Sequence, residues 1–400
     1  MNNIRKLTDS LFWVGVNDRR IALFENVYPV PTGMSYNSYV LLDEKTALFD
    51  TVDASFTHDF LENVTAALKG RTLDYLIVNH MEPDHCASIA DVIAAYPEAK
   101  IVCTAKAVGM MKQFFDFDVD SRAIPVKEGD TVSLGSHELT FVMAPMVHWP
   151  EVMVTYEKTE KILFSADAFG SFGAVDGNIF ADEIDDKGAW LSEARRYYTN
   201  IVGKFGMSVQ GLLKKAAGLE IRMICPLHSL VWRKDLDWLL EKYSRWSSYE
   251  PEEKTVLIAY ASVYGHTEQA ADAIAARLAE RGVPNIAVNY LSKTHTSYIL
   301  ADAFRCSALV FASITYNNGI FCNMETLLHQ IAAHNLQNRT VAFLENGSWA
   351  PVSVKHMTDT FASLWNMKVL EESLTIRSSL KNCQGDCLEA LVDSIFQSLA

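Results

Sequence analysis

Apolar runs alternate with polar and amphipathic stretches along the whole chain, and their rhythm changes near residue 250. Before that point, short apolar or alternating runs around 10–16, 36–50, 72–79, 99–104, 131–143 and 152–166 predict strands, with helical spacing at 59–68 and 87–95. The runs at 36–42 and 47–51 flank the polar turn Asp43-Glu44-Lys45, the pattern of a hairpin. Hairpins interleaved with helices predict mixed α/β layers rather than a purely parallel sheet.

A polar, charged, proline-containing segment, 247–254, breaks the pattern and suits a surface linker between two domains, 1–250 and 254–400. Beyond it the order becomes regular. Strands are predicted at 255–261, 286–290, 308–314, 340–344 and 368–374, with a helix at 267–281 and further helices between the later strands. Five strands with intervening helices imply a doubly wound parallel sheet.

Composition narrows the setting. A chain of 400 residues is long enough for two domains. Its net charge of −14 argues against general binding to nucleic acid or anionic membrane. No apolar run approaches the roughly 20 residues of a membrane span, and the six mostly apolar residues 11–16 are too few for a signal-peptide core. Seven scattered cysteines, with no Cys-x-x-Cys pair and the nearest two at Cys383 and Cys387, suit a reducing cytoplasm.

Candidate chemistry lies where strands end. In the second domain the first strand runs into Ser262-Val263-Tyr264-Gly265-His266-Thr267 at the start of a helix. Hydroxyls, a glycine and free backbone N–H groups at such a place form an anion cradle. Neither a Walker lysine nor spaced dinucleotide glycines are present, which favours a monophosphate over ATP or NAD. Two later strand ends, Thr315-Tyr316-Asn317-Asn318-Gly319 and Asn346-Gly347-Ser348-Trp349, would meet the same sheet edge, bringing aromatics that stack on a flat ring and amides that bond its polar rim. Any one of these loops is an ordinary turn by composition; three on successive strand ends are not. The layout resembles flavodoxin, which implies flavin mononucleotide (FMN).

In the first domain, His80-Met81-Glu82-Pro83-Asp84-His85 follows an apolar run, and His148, Asp167 and His228 each close or follow another. Pro83 stiffens the first loop. A lone histidine is most often a surface or satisfied core residue, and His58, His137, His295, His329, His334 and His356 are read so. The cluster differs in its company. The pattern His-x-Glu-x-Asp-His, then His after 63 positions, Asp after 19 and His after 61, resembles the metal pattern of flavodiiron proteins. The resemblance spans both domains and implies a metallo-β-lactamase-like αββα domain before a flavodoxin-like one. It further implies two non-haem irons, one held by His80, Glu82 and His148, the other by Asp84, His85 and His228, with Asp167 bridging. Zinc hydrolases of this fold typically carry histidine where Glu82 stands. Four histidines with three carboxylates make a harder, more anionic set that suits iron or manganese as well as zinc, and the flavin domain favours a redox metal.

The implied reaction is reduction of dioxygen to water, nitric oxide to nitrous oxide, or both. Two ferrous irons and a reduced flavin hold the four electrons dioxygen needs; coupling two nitric oxide molecules needs two. The family also implies a head-to-tail homodimer or tetramer, with Trp349 against the flavin and Glu82 or Trp149 near the partner's, and a rubredoxin-like electron donor, expected as a separate protein because the chain stops at Ala400 without two Cys-x-x-Cys pairs. One departure touches gas preference. Where many relatives carry a pocket histidine before a Tyr-Asn-x-Tyr stretch (here Tyr36-Asn37-Ser38-Tyr39), this chain offers Glu25. Tyr197 is a candidate pocket donor, with packing the plainer role. The alternative readings are a metal-dependent hydrolase with an appended flavodoxin module, against which Glu82 argues, and a non-enzymatic electron carrier.

Overall fold

The computed structural model describes residues 2–400. The chain forms two compact units: one comprises the chain up to Tyr198 with Met207–Ser244, the other Thr199–Gly206 with Arg245–Ala400.

In the first unit a seven-stranded sheet runs in the order Arg5–Lys6, Leu11–Trp13, Tyr39–Leu42, Thr46–Phe49, Tyr75–Ile77, Lys100–Thr104, Ala123–Val126. Its first four strands pair antiparallel and the rest parallel. A second, five-stranded sheet runs Thr131–Ser133, Glu138–Met143, Met153–Glu157, Ile162–Phe164, Met223–Cys225, antiparallel except for the last pair. The sheets meet through their aromatics: Phe49 of the first stacks on Phe164 of the second at 3.7 Å between ring centroids, and Tyr39 meets the edge of Phe164 at 5.6 Å. Met153–Glu157 is buried at all positions, as a strand covered on both faces must be, so it shows no alternation.

Helix Thr57–Leu68 covers the first sheet. Phe60, Asn63, Val64, Ala67 and Leu68 form its buried face at helical spacing, and left-handed Lys69 and Gly70 stop it (φ 54° and 84°). The expected helix at 87–95 begins at Ile89 and is preceded by a separate turn of helix, Pro83–Cys86, with Pro83 at its start, where a missing N–H costs nothing.

The second unit is a parallel sheet in which Glu253–Tyr260 lies between Ala287–Tyr290 and Cys306–Tyr316, followed by Thr340–Asn346 and Lys368–Ile376. Its order is thus second, first, third, fourth, fifth, with the switch point beside the first strand's carboxyl end, where open sheets of this kind bind ligands. Helices His266–Glu280 and Gly385–Gln397 bury Ala270, Ile274, Leu278, Leu388, Leu391 and Ile395 against Val256, Ile258 and Val310.

The segment expected as a surface linker is partly interior. Tyr249 is buried, packs on Phe304 at 5.9 Å, and its hydroxyl donates to the Gly203 carbonyl at 2.9 Å. The cause is Arg339, itself buried, whose guanidinium donates to the carbonyls of Tyr249, Ala303 and Phe304 at 2.6, 2.9 and 2.5 Å. These bonds tie residues 245–250 to the second unit rather than the first. Among the described residues no helix is long and apolar enough to cross a membrane.

Candidate metal centre and anion cradle

His80, Glu82, Asp84 and His85 stand on the loop and short helix after strand Tyr75–Ile77, and His148, Asp167 and His228 follow strands Glu138–Met143, Ile162–Phe164 and Met223–Cys225. Backbone strain marks these places: Asp50, Met146, Ala166 and Ser229 all have positive φ, between 51° and 66°. For residues with a side chain that conformation costs about 1–3 kcal/mol and persists only where the surroundings over-determine it. Here they do. Buried Asp50 accepts from Asn79 N and Nδ2 (2.7 and 2.8 Å) and His80 N (3.1 Å), and Thr155 Oγ1 donates to Asn79 Oδ1 at 2.7 Å. Burial pushes the Asp50 carboxyl up to about 6, against those bonds. Thr51 donates twice to the His85 carbonyl, and Ser229 N donates to Ser35 Oγ at 2.6 Å.

The seven side chains fall into two groups of mutually close donor atoms, His80, Glu82, His148 and Asp167 in one and Asp84, His85 and His228 in the other. Glu82 Oε2 lies 3.3 Å from His80 Nε2 and 3.0 Å from His148 Nε2, while Asp84 Oδ2 lies 3.3 Å from both His85 Nε2 and His228 Nε2. Asp167 addresses both groups. Its Oδ2 is 3.4 and 3.2 Å from His80 and His148 Nε2, and its Oδ1 is 3.2 and 3.7 Å from His85 and His228 Nε2.

Electrostatics make this a cation site. Burial alone would lower the histidines; the carboxylates around them outweigh it, holding His80 well above its ordinary value and His148 up at about 9. Burial would likewise raise Glu82 and Asp167, and the histidines hold both down. Both oxygens of Asp84 and of Asp167 are buried without a hydrogen-bond partner among the described residues. Protonated histidines offset that buried charge in the metal-free chain; once the rings are neutral, as metal ligands must be, a cation has to take over that role. The donor set therefore fits two metal ions.

Glu25 lies at the tip of the Leu23–Phe24 and Tyr28–Pro29 hairpin with φ 51°. It is exposed as a residue, and its carboxyl is pushed up to about 8, first by desolvation and then by the Glu82 carboxylate. The ring of Tyr197 packs on Phe172 and His228 at 5.2 and 5.5 Å, so packing is real. Its hydroxyl is nevertheless buried without a hydrogen-bond partner among the described residues, and burial, then Asp167, Glu82 and Asp84, hold it protonated, a state in which it can donate. Trp149 stands edge-on to His80 at 5.4 Å.

The second unit carries a cavity of about 450 Å³ at the switch point. Ser262, Val263, Tyr264, His266 and Thr267 line it from the first loop, Thr315 and Tyr316 from the second, and Asn346, Gly347, Ser348 and Trp349 from the third. Gly265 supplies the turn into the helix, with φ 88° and its N–H donating to Ser262 Oγ at 3.1 Å. Tyr264 and Trp349 are 89% and 82% exposed, a large apolar cost unless a flat ligand covers them. Asn317, Asn318 and Gly319 do not line the cavity. Both asparagines have positive φ (50° and 60°) and make the tight turn joining Thr315–Tyr316 to Gly319–Ile320.

Sequence reasoning missed several participants. Ser378 lines the cavity, and its Oγ lies 2.9 Å from Ser348 Oγ. It follows the fifth strand, so the rule that found the other loops would have found it. Asp50, Ser35 and Glu151, which hold the metal-site histidines and their loops, carry no sequence signal of their own.

Comparison with known proteins agrees with both halves. The family profile described as ODP family beta lactamase matches residues 34–229. The chain is 31% identical to the anaerobic nitric oxide reductase flavorubredoxin of Aeromonas hydrophila, over 85% of this chain and 69% of that one. It is also 31% identical to an uncharacterized protein of Methanocaldococcus jannaschii over 94% of both. The structure superposes on rubredoxin oxygen:oxidoreductase from Desulfovibrio gigas with a TM-score of 0.92 and 26% identity, covering 99% and 98% of the two chains.

Proposed function

This chain belongs to the flavodiiron protein family and is an oxidoreductase with a metallo-β-lactamase-like and a flavodoxin-like domain, and from that premise we propose that it reduces dioxygen to water, nitric oxide to nitrous oxide, or both. The names of its relatives, a nitric oxide reductase and a rubredoxin oxygen:oxidoreductase, support that pair of substrates and a rubredoxin-like donor. The observation that carries the reading is the set of four histidines and three carboxylates with orphaned buried oxygens on Asp84 and Asp167.

In this reading His80, Glu82 and His148 hold one iron, Asp84, His85 and His228 the other, and Asp167 gives one oxygen to each. The cavity edged by Tyr264 and Trp349 would hold FMN, with the hydroxyls and backbone N–H groups of 262–267 available to its phosphate and the two exposed aromatics to its ring. When bound, iron and flavin supply electron storage, two from the irons and two from the flavin.

The chain's own part is to position, exclude and donate. Asp167, buried and shared, fixes the spacing of the two ligand groups. Asp50 and the strained turns at Met146, Ala166 and Ser229 hold the ligand loops before metal arrives, so little ordering remains to be done on binding. Phe24 and Phe172, 5.8 Å apart, with Tyr36 and Tyr197 form an aromatic wall beside His228 that keeps bulk water from it. Tyr197 Oη is placed to donate a hydrogen bond to a bound gas, and Glu25 beside Glu82 to hold a proton near it. A homodimer that pairs the flavin of one chain with the metal site of the other completes the proposal.

Anaerobic purification should return about two irons and one FMN per chain. The chemically reduced protein should then consume dioxygen or nitric oxide with little peroxide. Zinc without iron, or hydrolysis that survives flavin removal, would overturn the reading.

A further inference from the structure

Among the described residues of the first unit, two buried histidines, His80 and His137, meet a carboxylate through Nδ1, and only His80 belongs to the candidate metal site. His80 Nδ1 lies 2.8 Å from Glu151 Oε1, and the same oxygen accepts from Met81 N at 2.9 Å. Glu151 is buried and its Oε2 has no hydrogen-bond partner among the described residues. His137 Nδ1 lies 3.1 Å from Glu157 Oε1, whose carboxylate is further satisfied by Thr159 N and Glu160 N at 2.7 and 2.6 Å. The second pair is a closed structural unit. The first is left open on its far oxygen and presses its charge on a ring whose other nitrogen points at Glu82 and Asp167.

Across the cluster the support differs. His228 Nδ1 bonds the Ser35 backbone carbonyl at 2.7 Å, and His85 Nδ1 has no partner among the described residues. One ligand group thus contains a histidine backed by a full negative charge; in the other, one histidine is backed by a neutral dipole and one has no such partner. An anionic partner on the far nitrogen fixes the tautomer and makes the ring a stronger electron donor to a metal.

We infer that Glu151 is a positioning residue that makes the two metal positions inequivalent: by hydrogen-bonding His80 it favours the more oxidised state, and tighter binding, at the position shared by His80, Glu82 and His148. This rests on the proposed diiron reading but adds to it, since Glu151 touches no metal, flavin or gas. It assigns an order. The set of His80, Glu82 and His148 would hold the position that is easier to oxidise and harder to reduce, and Asp84, His85 and His228 the other.

The test compares wild type, E151Q and E157Q, purified anaerobically as full-length holoprotein, by iron and FMN content and by redox titration followed through the mixed-valence signal. E151Q is expected to keep FMN and to bind iron roughly 10- to 100-fold more weakly. At saturating iron, its first oxidation should shift towards ferrous by roughly tenfold in the ferric-to-ferrous ratio, about 59 mV for a one-electron couple. E157Q should lower the melting temperature and leave the titration unchanged, as a purely structural pair would. An unshifted titration in E151Q, or equal shifts in both variants, overturns the inference while leaving two irons per chain and the proposed function intact. Wild type that binds no iron overturns both. If E151Q does not fold, E151D keeps the charge but shortens its reach to His80, and an unshifted titration there overturns the inference equally.

Discussion

The two sites of this chain are built on opposite principles. The candidate metal centre gathers buried charge: seven histidine and carboxylate side chains, all largely hidden, with carboxylate oxygens lacking hydrogen-bond partners among the described residues and strained turns on the loops that present them. The cradle in the second unit is open and carries no carboxylate among its lining residues; hydroxyls, amides, backbone N–H groups and one imidazole, His266, line it with two exposed aromatics. The first is preorganised for a small, highly charged guest. The second offers many weak contacts to a large flat one. Single substitutions should therefore act sharply in the first and gradually in the second.

The largest expected effect is at Asp167. Among the described residues of the two candidate groups it alone carries oxygens toward both, at 3.2 to 3.7 Å from four histidine nitrogens. Loss of an outer partner of a metal ligand typically costs 10- to 100-fold, and a shared ligand must cost more. D167A should drop iron per chain from two towards zero and gas consumption by at least roughly two orders of magnitude, with FMN content unchanged. Retention of both irons, measured by elemental analysis, would break the contrast at its root.

W349A probes the other side. Stacking of a flat base on an aromatic is worth about 1–3 kcal/mol, or roughly 5- to 150-fold in affinity. FMN should bind that much more weakly, measured by flavin fluorescence, with iron content untouched. An unchanged affinity would show that the exposed indole is not part of the cradle.

Acidity separates the sites again. His148, which burial alone would lower, is pushed up to about 9 by Asp167 and Glu82, so the metal-free chain holds that proton at neutral pH. A metal ion must displace it. Affinity for metal, titrated calorimetrically into iron-free protein, should rise about tenfold per pH unit for each proton displaced and level off above about pH 9. FMN affinity should change far less over that range, since His266 is the one imidazole among lining groups that are otherwise hydroxyls, amides, backbone and apolar rings. A flat metal curve would mean the histidines are already neutral before metal binds.

The contrast also governs what the sequence reveals. His80, Glu82, Asp84 and His85 stand out because charged ligands at a strand end have no apolar reason to be there. Glu151, Asp50 and Ser35 do not, since they are ordinary residue types joined to the site by folding: Ser35 lies 193 positions from His228 and Glu151 lies 71 from His80. Strands Ala123–Val126 and Met223–Cys225 escape a pattern search because three or four residues are too few to show a period. The regular second unit reads more easily, with its core strands lengthened rather than moved. There the difference is chemical. Asn317 and Asn318, expected as amides aimed at a ring, take positive φ in a tight turn, which asparagine tolerates, and lie outside the residues that line the cavity.

That last point yields the smallest effect and the sharpest distinction. With φ at 50° in the turn between Thr315–Tyr316 and Gly319–Ile320, Asn317 occupies a conformation that alanine adopts only at a cost. N317A should destabilise the second unit by about 1 kcal/mol, read from denaturant unfolding, and leave FMN affinity within twofold of wild type. The comparison with W349A decides the matter: the indole should affect binding and spare stability, the amide the reverse. A tenfold loss of FMN affinity in N317A without loss of stability would return that side chain to the cavity and extend the cradle to all of the second loop.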